Sequence, residues 1–309
     1  MKISIVTPCF NAARFIRETL ASVLDQDVPD LEYIVVDGGS TDGTIELIKA
    51  CGKRLAWWVS EKDDGQTSAI NKGLARSTGS ILGFLNADDV LTPGALRSVL
   101  DAFAANPDVD IVYGGVEWID STGASLGHHT GDISNLSEVL DIYRVWWAKH
   151  QWVQPEVFIR RSLWERVGAF DTRYHLAFDF DYWVRCFLAG ARVLRVPQCL
   201  VRFRLHENQK STASRHAAGE IRSIVRAALH SHPPIKDKLR RRIEAQLSYD
   251  LYQSGEANGP RGRKLCFAEA LFCHPEWLIY APEARARIRA ACVGRLFDAS
   301  KSATTTGNE

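Results

Sequence analysis

Short apolar runs alternate with helix-period segments over the first 115 residues. Ile3-Ser4-Ile5-Val6 reads as a buried strand. After it, Ile16, Leu20, Val23 and Leu24 fall on one face of a helix that Asn11 is placed to cap. Tyr33-Ile34-Val35-Val36 predicts a second strand, followed by a helix from about Thr41 to Ala50. A third strand is expected over Leu55 to Val59, with a helix over Gln66 to Arg76. A fourth is expected over Ile81 to Leu85, with a helix from Pro93 to Ala104 and Pro93 in its first turn. Asp110 to Tyr113 starts a fifth strand. Such βαβα alternation implies a mainly parallel sheet with helices on both faces.

Residues 114–210 are less regular, with glycines, tryptophans and one clear helix near Asp181 to Ala189. Beyond residue 211 the chain reads as helical and basic, and residues 301–309 as a small, polar, disordered tail. The expected organisation is therefore an α/β domain over 1–210, a helical basic extension over 211–300 and the tail.

Charge sharpens this division. Residues 1–210 carry 22 Lys+Arg against 27 Asp+Glu, and residues 211–309 carry 16 against 10. An overall net charge of +1 excludes bulk attraction to nucleic acid. The seven cysteines are scattered without a CxxC pair, which points to a reducing compartment. No signal peptide and no apolar stretch long enough for a bilayer is evident, so the expected location is cytoplasmic, peripheral to a membrane at most.

The chemistry lies in where the polar residues fall. The four strands run into Thr7-Pro8-Cys9-Phe10-Asn11, Asp37-Gly38-Gly39-Ser40, Ser60-Glu61-Lys62-Asp63-Asp64-Gly65 and Asn86-Ala87-Asp88-Asp89. In a parallel sheet these ends share one rim, where open α/β sheets bind ligands. Asp37, Glu61, Asp63, Asp64, Asp88 and Asp89 crowd that rim and repel unless a cation or ligand relieves them. The plainer alternative is a set of solvated turns and helix caps. Mg²⁺ or Mn²⁺ is commonly held by one or two carboxylates with diphosphate oxygens, which suits the turn after the fourth strand.

These motifs, with Thr41-Asp42-Gly43-Thr44, Asn71-Lys72-Gly73, Gly79 and Gly83-Phe84-Leu85, resemble the family 2 glycosyltransferases of the GT-A fold over roughly the first 210 residues. The resemblance implies an inverting, metal-dependent transfer of a sugar from a nucleotide-sugar donor to a hydroxyl of a glycan or lipid-linked acceptor, in cell-surface polysaccharide biosynthesis. It places the base and ribose pocket on Thr7, Pro8, Asp37 and Asp63, with further donor contacts on Asn11, Gly65, Asn71, Lys72, Asn86 and Ala87. Asp88 matches the metal-binding carboxylate of the Asp-x-Asp motif, whose first position is Asn86 here. Asp89 either supports the site or caps the next helix, and the general N-cap preference favours the cap.

Further along, His175 to Arg185 resembles the family's Glu-Asp-x-Asp-Leu-Trp segment, which puts the catalytic base on Asp179 and leaves Asp181 as a helix N-terminal acid. Phe178 replaces the usual Glu, and an apolar neighbour favours a raised pKa for a base. His206 matches an imidazole on the metal or diphosphate, and Lys210 could neutralise the leaving phosphate. Trp146, Trp147, Trp152 and Gln154 match a stretch bordering the acceptor, although the tryptophans could equally cover the helical tail. A sugar nucleotidyltransferase is the rival enzyme, but it would want a Gly-rich basic loop after the first strand; a non-catalytic scaffold of this fold is the other alternative. The basic extension suits contact with an anionic membrane, a second subunit or the catalytic domain.

Overall fold

Four apolar runs become parallel strands: β1 (Ile3–Cys9), β2 (Leu31–Asp37), β3 (Trp57–Ser60) and β4 (Ile81–Phe84). They are joined by α1 (Ile16–Leu24), α2 (Thr44–Ala50) and α3 (Gln66–Arg76). Every residue of β1 is buried, because both of its faces are covered. Ile3 and Ile5 share a core with Ile16, Leu20 and Val23 of α1, while Val6 faces Gly73 of α3. Strand order β3-β2-β1-β4 brings all four carboxyl ends to one rim, as the alternation implied.

The computed structural model describes residues 1–142, 145, 149–207, 209–210 and 214–231, with 240, 241, 243, 244 and 247. The later elements are β5 (Val90–Leu91), α4 (Ala95–Ala105), β6 (Ile111–Ile119), β7 (Ser125–Thr130), α5 (Leu136–Val139), β8 (Val157–Arg160), α6 (Arg161–Val167), α7 (Phe178–Leu188), β9 (Val193–Arg204) and α8 (Ser214–Ser231). They continue the sheet as β8-β6-β9-β5, with β7 hairpinned on β6. Here the pairing turns mixed: β8 is antiparallel to β4 and β6, whereas β9 runs parallel to β6. The parallel register carries Arg204 beside Ile119, toward the rim. The chain divides into compact units Met1–Ser231 and His232–Glu309, so the first runs past the expected boundary at residue 210 and takes in α8. Trp146, Trp147 and the readings for the basic tail beyond residue 247 lie outside the described residues.

Three expected caps are corrected. Asn11 does not cap α1, which begins at Ile16 after Phe15; it sits at φ 48°, and its Oδ1 accepts from Thr41 N at 3.0 Å. Asn tolerates that left-handed backbone and here ties two strand-end loops together. Pro93 precedes α4, because Gly94 at φ 75° delays the first helical residue to Ala95. Asp89 leads into β5, and no helix starts at it.

The close approach of α3 to β1 depends on Gly73, where an added Cβ would stand 2.4 Å from Val6 Cγ1 and 3.0 Å from Cγ2. Val6 is a β-branched core residue with no room to turn away. Gly73→Ala is expected to cost roughly 1–3 kcal/mol through overpacking, despite alanine's better helix propensity. Urea unfolding checks this; a variant as stable as the parent would contradict the packing argument.

Candidate active site

Asp37, at the end of β2, is fully buried and saturated with donors. Its Oδ2 accepts from Gly39 N (3.1 Å), Ser40 N (2.9 Å) and Ser60 Oγ (2.6 Å). Its Oδ1 accepts from Ser40 Oγ and from the Cys9 thiol at 3.5 Å. Burial opposes the charge, yet the Ser40 and Ser60 hydroxyls with the Ser40 and Gly39 amides hold Asp37 below the usual carboxylate range. These bonds tie the Asp37 side chain to the loops that follow β1, β2 and β3.

The other donor-side candidates divide in two. Asp63 is half-buried, its Oδ1 accepting from Gly65 N at 2.8 Å, with Gly65 at φ 104° opening α3. Lys72 pairs with Glu61 at 2.6 Å on the exposed side of the rim. Thr7 and Pro8 are buried, with the Thr7 hydroxyl against Tyr33 Oη at 2.9 Å. Asn71 is spent on structure: its amide donates to Phe170 O at 2.8 Å and accepts from Phe170 N at 2.9 Å. That two-sided tie fixes the Asn71 amide against the chain before α7.

The Asn86–Asp89 turn is gripped from β9. Arg204 is a buried cation whose Nε donates to Asp88 O at 3.0 Å, while its backbone N donates to Asp89 Oδ1 at 3.0 Å. Asp89 is fully buried; burial and then the neighbouring charge of Asp88 push its carboxyl well above the ordinary range. Asn86 accepts from Gln66 Nε2 at 2.7 Å and donates to Asp89 Oδ2 at 3.0 Å, and Ala87 is buried between them. This leaves the Asp88 side chain at the rim, where Oδ2 lies 2.9 Å from His206 Nε2. His206 is braced by Phe15, ring centroids 4.9 Å apart. Among the described residues no group of three or more His, Cys, Asp or Glu converges on one point. One carboxylate and one imidazole do fit a Mn²⁺ or Mg²⁺ ion that takes its remaining ligands from a diphosphate and water.

Asp179 lies half-buried in the first turn of α7, its Oδ1 accepting from Phe180 N at 2.8 Å. Burial pushes its pKa up to about 6, against the pull of the Phe180 N–H and the nearby Lys210 ammonium. Lys210 also reaches Gln66 Oε1 at 3.3 Å and covers the Phe178 ring at 5.7 Å. Asp181 is the helix acid it was expected to be, paired with Arg185 at 2.8 Å.

The acceptor candidates are corrected. Trp152 is buried, with its ring against Tyr113 (4.8 Å), Trp183 (5.5 Å) and Phe187 (5.6 Å), so no open face remains for a sugar. Gln154 is buried too, with its amide donating to Phe84 O at 2.8 Å. Sequence reasoning missed Gln66 and Arg204 as organisers of the turn. The signal for Gln66 was a polar residue opening a helix beside Gly65; for Arg204 it was an arginine inside an apolar strand next to a candidate ligand.

The model of glycosyl transferase family 2 matches residues 4–168. A PGL/p-HBAD biosynthesis glycosyltransferase of Mycobacterium bovis is 31% identical over 202 residues, covering 64% of this chain and 74% of the relative. An uncharacterized glycosyltransferase of Rickettsia typhi is 28% identical over 225 residues, covering 72% of this chain and 70% of the relative. Among solved structures, S. aureus TarS in complex with UDP-GlcNAc superposes with TM-score 0.62 at 17% identity, over 82% of this chain and 73% of that one. Mannosyltransferase PcManGT of Pyrobaculum calidifontis, with GDP-Man and Mn²⁺, gives 0.60 at 21% identity, over 98% and 83%. At such identities the two structures share the GT-A fold with this chain.

Because the Asp37 pKa is depressed in the folded state, its contribution is complete above the unfolded-state value and is lost as pH falls through the folded one. Asp37→Asn turns an amide NH₂ toward groups that themselves donate. The expected loss at neutral pH is roughly 1–3 kcal/mol per unsatisfied donor. The gap to wild type should narrow only below about pH 4. Denaturant curves at several pH values check this; a gap that widens on acidification would contradict it.

Proposed function

The chain belongs to glycosyl transferase family 2, and on that premise we propose that it moves a sugar from a nucleotide-sugar donor to a hydroxyl of a glycan or lipid-linked acceptor, with inversion at the anomeric carbon. The observation that carries this reading is the 2.9 Å meeting of Asp88 and His206, 118 residues apart in the chain, at the strand-end rim. Two relatives support the donor class: TarS is seen with UDP-GlcNAc and PcManGT with GDP-Man and Mn²⁺. The mycobacterial relative is named for PGL/p-HBAD biosynthesis, and on that likeness we place this chain in cell-surface glycan assembly.

Asp88 and His206 would hold Mn²⁺ or Mg²⁺ together with the donor diphosphate; the bound ion supplies Lewis-acid stabilisation of the charge on the departing nucleoside diphosphate. Asp179 takes the proton of the acceptor hydroxyl as its oxygen bonds to the anomeric carbon. The bond from that carbon to the diphosphate oxygen breaks on the opposite face, and the diphosphate leaves with the electron pair. A carboxyl with a pKa of about 6 is mostly ionised at neutral pH, yet more basic than an ordinary aspartate. Lys210, close to Asp179 and Gln66, offers a positive charge that favours Asp179 as an anion.

No helix among the described residues is long and apolar enough to cross a membrane. We place the protein in the cytoplasm at the inner membrane face, where the basic sequence of residues 211–300 suits an anionic surface carrying a lipid-linked acceptor.

A panel of UDP- and GDP-sugars with and without Mn²⁺ tests the reading. Release of nucleoside diphosphate that stops with EDTA supports it, whereas release of pyrophosphate would mean nucleotidyl transfer. Asp179→Asn should keep donor binding and lower kcat by roughly 10²- to 10⁴-fold. The wild-type rate should rise with pH through about 6, as Asp179 loses its proton. Asp88→Ala should instead abolish Mn²⁺-dependent nucleotide binding. Near-wild-type turnover of Asp179→Asn would remove it from the base role.

A further inference from the structure

Helix α7 presents Asp179 in its first turn but carries no side-chain cap of its own; the N-cap position is Ala177. The chain in front of it is held from α8 instead. The carboxylate of Glu220 accepts the N–H groups of His175 (3.0 Å), Leu176 (2.9 Å) and Ala177 (2.8 Å). These three donors overcome the cost of burial and hold Glu220 below the usual glutamate range, so it is a fixed negative charge at working pH. Helix α8 packs on α7, and Glu220 lies well beyond the residues that match the family model.

We propose that Glu220 is a positioning residue for glycosyl transfer: from α8 it clamps the three amides before α7 and so fixes where the Asp179 carboxylate meets the acceptor hydroxyl. This rests on the reading of Asp179 as the base. Among the described residues, the charges that act on Asp179 include Lys210 and Glu220. Asp181 on its own helix is directed to Arg185, and Lys210 lies after β9. His175 stands in the clamped chain beside Glu220, and Glu220 faces the site from α8. Glu220 therefore does two things that a neutral residue would not. It immobilises the backbone that carries the base, and its charge adds to burial in making Asp179 a stronger base.

The test uses full-length protein. In the wild type, amide hydrogen exchange at His175, Leu176 and Ala177 should be slow; fast exchange there overturns the clamp without any variant. Glu220→Gln keeps the shape and removes the charge. It is expected to leave donor KM unchanged and to lower kcat roughly 10- to 100-fold, the scale of a small misplacement of a reacting group. Its acid limb should move below the wild-type midpoint of about 6. Glu220→Asp, which restores the charge, should recover part of both the rate and the limb. Unchanged kcat with an unmoved limb in a folded Glu220→Gln variant overturns the proposal, and a loss confined to melting temperature would make Glu220 merely structural. Should Asp179→Asn keep its turnover, the base reading fails and the positioning role with it, while the exchange measurement separately decides whether the clamp exists.

Discussion

A buried guanidinium set against a strand-end turn is the interaction on which the rest of the site depends. Arg204 is almost wholly removed from water, a position that costs several kcal/mol unless its N–H groups are paired. Its partners are Glu18, the carbonyls of Asp88 (3.0 Å) and Asp120 (3.3 Å), and the Phe15 ring at 4.8 Å. Gripping the Asp88 carbonyl fixes the backbone of the turn and leaves the Asp88 side chain free to point along the rim. His206 follows Arg204 by two residues, so the strand that delivers the cation also delivers the imidazole. Asp88 and His206 meet because one side chain between them anchors both segments.

Three aspartates near this rim are held in three different states by their surroundings. Asp37 is buried among hydroxyl and amide donors and stays a carboxylate below the ordinary range. Asp89 is buried beside the charge of Asp88 and is pushed well above it. Asp179, with one amide donor and a lysine to offset burial, settles near 6. The residue type is the same each time; the balance of burial, donors and neighbouring charge decides the outcome, with the donors prevailing at Asp37 and burial and the Asp88 charge prevailing at Asp89. Only the intermediate case has a basicity useful for accepting a proton at neutral pH.

What could be read from sequence follows the range of the forces involved. Apolar periodicity is local, and it located β1 to β4 and gave α3 its bounds, Gln66–Arg76. The gathering of acids at one rim followed from parallel topology alone. Caps were less legible, because Asn11 and Asp89 are chosen by partners far along the chain, Thr41 and Arg204. The two-residue strand β5 has no pattern of its own and exists only because β9 pairs with it. Trp152 carries the composition of a sugar platform, but aromatic packing against Trp183 and Phe187 claims its faces. Glu220 has no local signature at all: an exposed-looking glutamate on a basic helix becomes meaningful only where α8 meets α7.

The departure at Asn86 has a physical reason once the turn is seen whole. Asp89 is buried and needs a donor on each oxygen: Arg204 N serves one, and Asn86 Nδ2, at 3.0 Å, serves the other. The Asn86 carbonyl oxygen meanwhile accepts from Gln66 Nε2, whose own oxygen takes Lys210 at 3.3 Å. An aspartate at position 86 could accept from Gln66 but, when ionised, could not donate to Asp89. Asp89, already pushed up by burial and the charge of Asp88, would then face a second acid that cannot donate to it unless one of the two carries a proton. The amide accepts on one side and donates on the other, so it continues a hydrogen-bonded path from the neighbour of Asp179 to the turn that carries Asp88. Asn86 is thus matched to the burial of Asp89, and the carboxylate that faces the rim is Asp88.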